Sequence, residues 1–358
     1  MRRLTLTLSL LLAALLGGCS SVGYYWQSLN GHFQLMRAAR PVPDWLADSA
    51  TPEALRQRLQ LSQRMRDFAV EQLKLPDNAS YRRYADLQRR AVVWNVVAAP
   101  PDSLTLKTWC FPVAGCVGYR GYFDEAAALA EARQVQQHEG LEVSVYGVPA
   151  YSTLGWMNWA GGDPLLNTFI RYPEGELARM LFHELAHQVV YVPDDTVFNE
   201  SFASSVERLG AAHWLATQAS PVARAEYEAF DARRRQFRQL TLATRTALAQ
   251  IYDSKSPFRQ DASTLIATKN AAMQKFKADY AQLKAESGEP PERWAGYDGW
   301  VTHANNASFG AQGVYDDLVP GFETLFAREG RDWQRFYDAV RRLASQPLAE
   351  RHRQLQPP

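Results

Sequence analysis

The chain has 358 residues, 46% of them hydrophobic and 12% aromatic, enough for a sizeable core in one large domain or two modest ones. Its 39 basic residues against 38 acidic give a net charge of +1, which excludes the marked basic excess of a nucleic-acid binder. Charge by itself points to no partner.

Met1-Arg2-Arg3 is a short basic start, and the apolar run from Leu4 to Leu16 is too short for a usual spanning helix. It ends in Leu16-Gly17-Gly18-Cys19, which resembles the lipobox of bacterial lipoproteins. Residues 1–18 therefore read as a signal peptide, with Cys19 as the acylated new N-terminus; the alternative is an ordinary secretory signal with an incidental cysteine. Two or three acyl chains anchor a protein stably where one is marginal. Ser20 resembles the residue found in lipoproteins passed to the outer membrane, so the expectation is a periplasm-facing protein held to that membrane by lipid. Without Arg2 and Arg3 the mature chain has 37 basic and 38 acidic residues.

Residues 19–48 read as the lipidated cysteine and a tether that packs down on the folded domain. Residues 49–215 read as an α+β core. Thr51-Pro52-Glu53 is a helix start, with Thr51 as cap and proline at the first helical position. Leu55, Leu59, Met65, Phe68 and Leu73 mark one face of that helix. Arg90 to Ala99 reads as a buried strand bounded by Pro100-Pro101. Cys110 and Cys116 flank a Pro/Gly turn, which in an oxidising periplasm reads as a disulfide, against two free thiols. Asp124 to His138 is an alanine-rich helix stopped at Gly140, and Leu141 to Tyr146 alternates as a half-buried strand does. Further strands are expected over Ala150–Trp156, with Tyr151 beside a cleft, and over Leu165–Tyr172.

From about Gly175 to Val190 a helix carries His183-Glu184-Leu185-Ala186-His187. A helix sets residues four apart on one face, with Cβ atoms about 5–6 Å apart. Two imidazoles so placed can grip one Zn²⁺ at about 2.0–2.1 Å while Glu184 serves as general base. Phe198-Asn199-Glu200-Ser201-Phe202-Ala203 offers Glu200 as third ligand, on a helix capped by Asp195 or Thr196. Two histidines, one glutamate and an open fourth position form a catalytic zinc set, one ion per chain. The competing reading is a pair of satisfied core histidines. Glu207 shares the face of Glu200 and Ser204, so it reads either as an acceptor for a ligand imidazole N–H or as a solvated carboxylate.

Residues 216–290 read as a helical hairpin from Ser220-Pro221, split at Ser254–Pro257. Arg233-Arg234-Arg235 within it reads as a solvated face. Residues 291–358 read as a C-terminal helical segment completing the cleft. It holds Tyr315 and His303, first and second candidates for the oxyanion donor against a plain packing role, and a last helix from Asp332 to Ala344.

With these residues in place, the mature chain resembles the bacterial putative aminopeptidase family, a group of envelope lipoproteins assigned to the gluzincin metallopeptidases. The likeness is carried by the lipobox, Trp94-Asn95-Val96-Val97-Ala98, Trp109-Cys110-Phe111-Pro112 with Cys116, Ala150-Tyr151-Ser152-Thr153-Leu154-Gly155, Asp163-Pro164 and Asn305-Asn306-Ala307. Phe198 to Ala203 is also similar to the Asn-Glu-Gly-Phe-Ala segment of the large zinc aminopeptidases. The resemblance implies a zincin fold, a peptide substrate added as a strand along a sheet edge at residues 150–172, and substrate-backbone contacts from Asn305 and Asn306. Two departures stand out. His187 and Glu200 lie closer in sequence than in the large zinc aminopeptidases, and the segment that binds a substrate's free amine there has no counterpart. The expectation is thus an aminopeptidase, with a zinc endopeptidase, a peptidoglycan amidase or a non-catalytic envelope scaffold as alternatives. The sequence leaves the oligomeric state open.

Overall fold

The computed structural model describes residues 23–111, 115–313 and 317–356. It is an α+β structure in which helices surround small sheets. Residues 23–38, expected as tether, form helix α1. Strand β1 (Arg40–Pro41), helix α2 (Val42–Ala47), helix α3 (Glu53–Glu71) and strand β2 (Arg83–Ala85) come next. Pro52, not Thr51, occupies the cap position of α3. Leu55 N–H bonds the Pro52 carbonyl at 2.9 Å, so the helix opens one residue later than the cap-plus-proline pattern implies.

The expected strand 90–99 is β3 (Val93–Ala99). It is followed by the hairpin β4 (Trp109–Phe111) and β5 (Gly115–Val117), then β6 (Arg120–Tyr122), α4 (Glu125–Glu139) and β7 (Glu142–Val148). Asp124 caps α4 through Ala127 N–H, and Gly140 stops it in the left-handed region at φ 66°. Sheet order is β6-β3-β7, antiparallel throughout, with Asn95 opposite both Gly121 and Tyr146. β3 is buried along nearly its whole length because both of its edges are paired and α4 covers one face. Among the described residues β7 pairs with β3 alone and is an edge strand.

The stretch 150–156 is not a strand. Thr153 N–H donates to both carboxylate oxygens of Asp163, at 3.0 and 3.1 Å, and Leu154 and Gly155 adopt positive φ. A buried carboxylate collecting a backbone donor has replaced ladder pairing here. Of 165–172 only β8 (Leu165–Leu166) is strand, parallel to β2; the chain then turns through Ile170 N–H to the Leu166 carbonyl at 3.0 Å. Gly162 (φ 64°) is required where it stands, since a Cβ there would lie 2.4 Å from Ser80 N.

Helices α5 (Glu174–Ala186) and α6 (Thr196–Thr217) carry the histidine and glutamate motifs. Then come the hairpin helices α7 (Pro221–Tyr252) and α8 (Ala262–Glu286), and α9 (Ala295–His303), α10 (Asn306–Gly313), α11 (Val319–Arg328), α12 (Trp333–Ala344) and α13 (Leu348–Leu355). One core joins Leu35 of α1, Leu59, Phe182, Phe202, Phe322 and Leu355. Each such side chain, fully buried, contributes about 1.5–3 kcal/mol by removal from water. A separate core holds the hairpin to α9 and α10 through Leu248, Tyr252, Phe276, Trp294 and Phe309. No helix among the described residues is long and apolar enough to cross a membrane.

Candidate metal centre

The centre is made where α5 and α6 pack face to face. Leu177, Ala178, Leu181, Phe182, Leu185 and Ala186 bury the rest of α5, so its polar residues are confined to one narrow face. The absence of a side chain at Gly210 lets α6 approach Phe182 closely. Trp214 Nε1 donates to Glu174 at 2.9 Å, clamping one end of the pair. Asn199 clamps the other, accepting from Val192 N–H and donating to the Val192 carbonyl, both at 2.8 Å. Asp195 caps α6 through Phe198 N–H and is itself gripped by Arg351 at 2.7 Å and His352 at 2.9 Å from α13.

This frame brings His183, His187 and Glu200 together. α5 ends earlier than expected, with His187 at its C-terminal cap, yet the residue keeps helical angles, so the four-residue spacing still aligns both rings. His183 Nε2 lies 3.2 Å from His187 Nε2 and 3.3 Å from Glu200 Oε2, and His187 Nε2 lies 3.7 Å from the same oxygen. A tetrahedral ion at about 2.0–2.1 Å from each ligand spaces those ligands about 3.3–3.4 Å apart. The three atoms thus fit one face of a tetrahedron, and the group could hold a metal ion.

The clustered groups shift one another's pKa values. Burial acts to lower the pKa of His183, but hydrogen bonds to Glu200 and Glu207 outweigh it and hold the ring well above its usual value. Burial pushes His187 down to about 4. Despite burial, Glu200 is held low by the histidines, and Glu207 is brought down to about 2 by Arg179 and His183. Burial pushes the Glu184 carboxyl up to about 7.

Glu207 accepts from His183 Nδ1 at 2.8 Å, which turns the Nε2 lone pair toward the ligand group. Of its two readings, the solvated carboxylate is excluded. Arg179 bonds the other Glu207 oxygen and lies 3.7 Å from Asp231. His187 Nδ1 is buried without a partner among the described residues.

Glu184 and His183 lie where two cavities meet. The smaller, about 380 Å³, is also lined by His187, Glu200, Tyr119, Tyr191 and Tyr151. Tyr151, expected beside the cleft, is there, with its hydroxyl 3.2 Å from His32 Nδ1. The larger, about 640 Å³, runs toward α7 and α9 and is bordered by Tyr146, Gly147 and Val148 of β7. The sheet edge beside the cleft is therefore β7, not residues 150–172.

Three expected residues stand elsewhere. His303 is exposed on the last turn of α9, its Nδ1 donating to the Gly299 carbonyl of its own helix at 2.9 Å. Asn305 donates to the Val143 carbonyl at 2.9 Å, and its side-chain oxygen accepts from Ser308 N–H at 3.1 Å. Asn306 is fully buried, donating to the Pro100 carbonyl and accepting from Tyr252. Both asparagines fasten α10, Asn305 to the sheet and Asn306 to the Pro100 carbonyl and to α7. Tyr315 and Cys19 lie outside the described residues. Cys110 and Cys116 are joined as a disulfide across β4 and β5, and Cys116 N–H donates to Asp194 at 2.6 Å, tying that hairpin to the start of α6.

Two residues that shape the centre, Arg179 and Asn199, were not among those expected from the sequence. Arg179 stands four residues before His183 on the same face of α5, a visible signal; Asn199 sits inside the quoted Phe-Asn-Glu segment, but its partner Val192 is apparent only in the fold.

Fold and site together define an α+β protein with a buried His-His-Glu group able to hold one metal ion. The chain belongs to the family described as "putative aminopeptidase", whose model matches residues 23–355. Comparisons with curated proteins and with solved structures gave no match.

Proposed function

We propose that the protein is a zinc-dependent peptidase of gluzincin type, an aminopeptidase anchored by lipid on Cys19 to the periplasmic side of the outer membrane. The observation that carries the catalytic part is the convergence of His183, His187 and Glu200 at ligand-to-ligand spacing, with Glu184 beside them at the junction of two cavities. Family membership supports a peptide substrate and, by its description, the exopeptidase form.

His183, His187 and Glu200 would hold one Zn²⁺, which supplies Lewis acidity toward a scissile carbonyl and acidifies water. Glu184 takes the proton of the attacking water and delivers it to the leaving amine. Glu207 and Arg179 keep His183 in the tautomer that offers Nε2. β7 offers its edge to an extended peptide, through Tyr146 to Val148. Tyr315 is our proposed oxyanion donor.

Metal analysis with a panel of free and N-acetylated peptides tests this reading. One zinc per chain with cleavage confined to free N-termini is the expected result; cleavage of blocked peptides would make it an endopeptidase, and release from muropeptides alone an amidase. Glu184→Gln should retain zinc and lose turnover by at least about 100-fold. Turnover within a few-fold of wild type would remove Glu184 from the mechanism. Mass analysis of the mature N-terminus and membrane fractionation test the anchor and its address.

A further inference from the structure

The larger cavity is left over by the hydrolytic roles. It reaches Glu184 and His183 at one end, so any group filling it is attached to a substrate close to the bond being cut. Its walls come from two packing units. Ala150, Tyr172 and Met180 belong to or pack beside the main core, while Phe237 and Trp300 pack against the hairpin core. Those two rings are already held in place. Trp300 packs edge-on against Phe276 at 5.8 Å and Phe309 at 5.2 Å, and Phe237 lies 5.5 Å from Trp300 and 4.4 Å from Tyr297.

The charged lining residues favour an uncharged occupant. Arg179 is matched by Glu207 and Asp231, and Arg234 by Glu176 and Asp231. An acidic side chain would compete with carboxylates already in those pairs. A basic one would meet Arg179, Arg208, Arg234 and Arg238 as well as Glu176, Glu184 and Glu207 in the same lining, so it would gain no net attraction. About 640 Å³ lies within the 300–1,000 Å³ range of small-molecule sites, room for a large side chain with its adjoining backbone.

We infer that this cavity is the specificity pocket for a bulky apolar or aromatic side chain next to the cleaved bond, with Phe237 and Trp300 as specificity-determining walls. The inference rests on the peptidase reading and adds the substrate class. It also gives the helical hairpin a role, since α7 supplies Arg234, Phe237 and Arg238 to the side of the pocket completed by Trp300 of α9 and Ala311 and Gln312 of α10.

The test uses tetrapeptides carrying Phe, Leu, Ala, Asp or Lys at each position flanking the cleaved bond, with wild type, Phe237→Ala and Phe237→Trp. At one of the two positions Phe and Leu should exceed Ala in kcat/KM by about ten-fold or more, with Asp and Lys lower still. Phe237→Trp, which fills the pocket, should reverse the order of Phe and Ala at that position only. General damage to the fold would lower all substrates together. A preference for Asp, or an order untouched by either substitution, overturns the proposal. Calorimetric binding of the same peptides to Glu184→Gln reads the order without turnover. That order with no cleavage by wild type would sink the peptidase reading and keep the pocket; cleavage with a flat order would do the reverse.

Discussion

Replacing Asp195 by alanine should be among the most damaging single changes outside the ligand group. Its carboxylate, 3% exposed, accepts from Phe198 N–H at 3.1 Å, from Arg351 at 2.7 Å and from His352 at 2.9 Å. Losing the cap costs about 1 kcal/mol. Stranding one member of a buried ion pair costs about 3–5 kcal/mol. Arg351 retains the Ala344 and Gln346 carbonyls at 3.0 and 3.1 Å, which places the second contribution at the low end. The expected loss is therefore about 4 kcal/mol, read by urea unfolding at pH 7. Arg351→Met should cost less, because Asp195 keeps both its cap role and His352. The double variant should cost less than the sum of the two single changes, since no cation is left stranded. An Asp195→Ala loss below about 1.5 kcal/mol, or strict additivity with Arg351→Met, would refute the reasoning. Because Glu200 lies on the helix that Asp195 starts, zinc affinity should fall along with stability.

Glu207→Gln keeps the shape of the side chain but weakens its hold on His183 Nδ1, and zinc affinity should drop about 10–100-fold in chelator competition. An unchanged affinity would mean that Glu207 serves Arg179 alone. Asp163, buried between Thr153 N–H and Gln188, has its carboxyl pushed up to about 6 by burial. Since the folded value exceeds the unfolded one near 3.8, its contribution is fully present below about pH 4 and lost as pH rises through about 6. The unfolding free energy of wild type relative to Asp163→Asn should therefore fall by up to about 3 kcal/mol between pH 4 and pH 7. A difference independent of pH would show that Asp163 is no more strained ionised than neutral.

The expected elements that hold in the structure are those whose cause is local. The i, i+4 pair of His183 and His187 needs only a helix, and the apolar residues around it demand one. Asp124, Asp195, Ser220 and Asp332 cap helices because a short polar side chain satisfies N–H groups two or three residues on, which is visible in sequence. Glu200 and Glu207 share a face for the same reason of period, and Cys110 and Cys116 meet across one turn. Residues 150–156 look like a strand because their apolar pattern is ambiguous. What decides against it is Asp163, whose burial beside Thr153 and Gln188 depends on segments far apart in the chain.

Asn305 and Asn306 show the same limit from the other side. As residue types they suit a substrate backbone, yet partners more than 150 residues away, at Val143 and Pro100, have claimed them. His303 is lost to the site merely because the last turn of α9 points it outward. The chain on its own thus determined its metal helices, the caps at Asp124, Asp195, Ser220 and Asp332 and the set of chemical groups able to hold a metal, since each depends on neighbours within one or two turns, whereas helix α1 and the start of α3 were not read from it. Only the tertiary structure decided the edge strand beside the cleft, the Arg179–Glu207 support of His183 and the two-walled cavity, because each is a contact between surfaces brought together by burial rather than by sequence spacing.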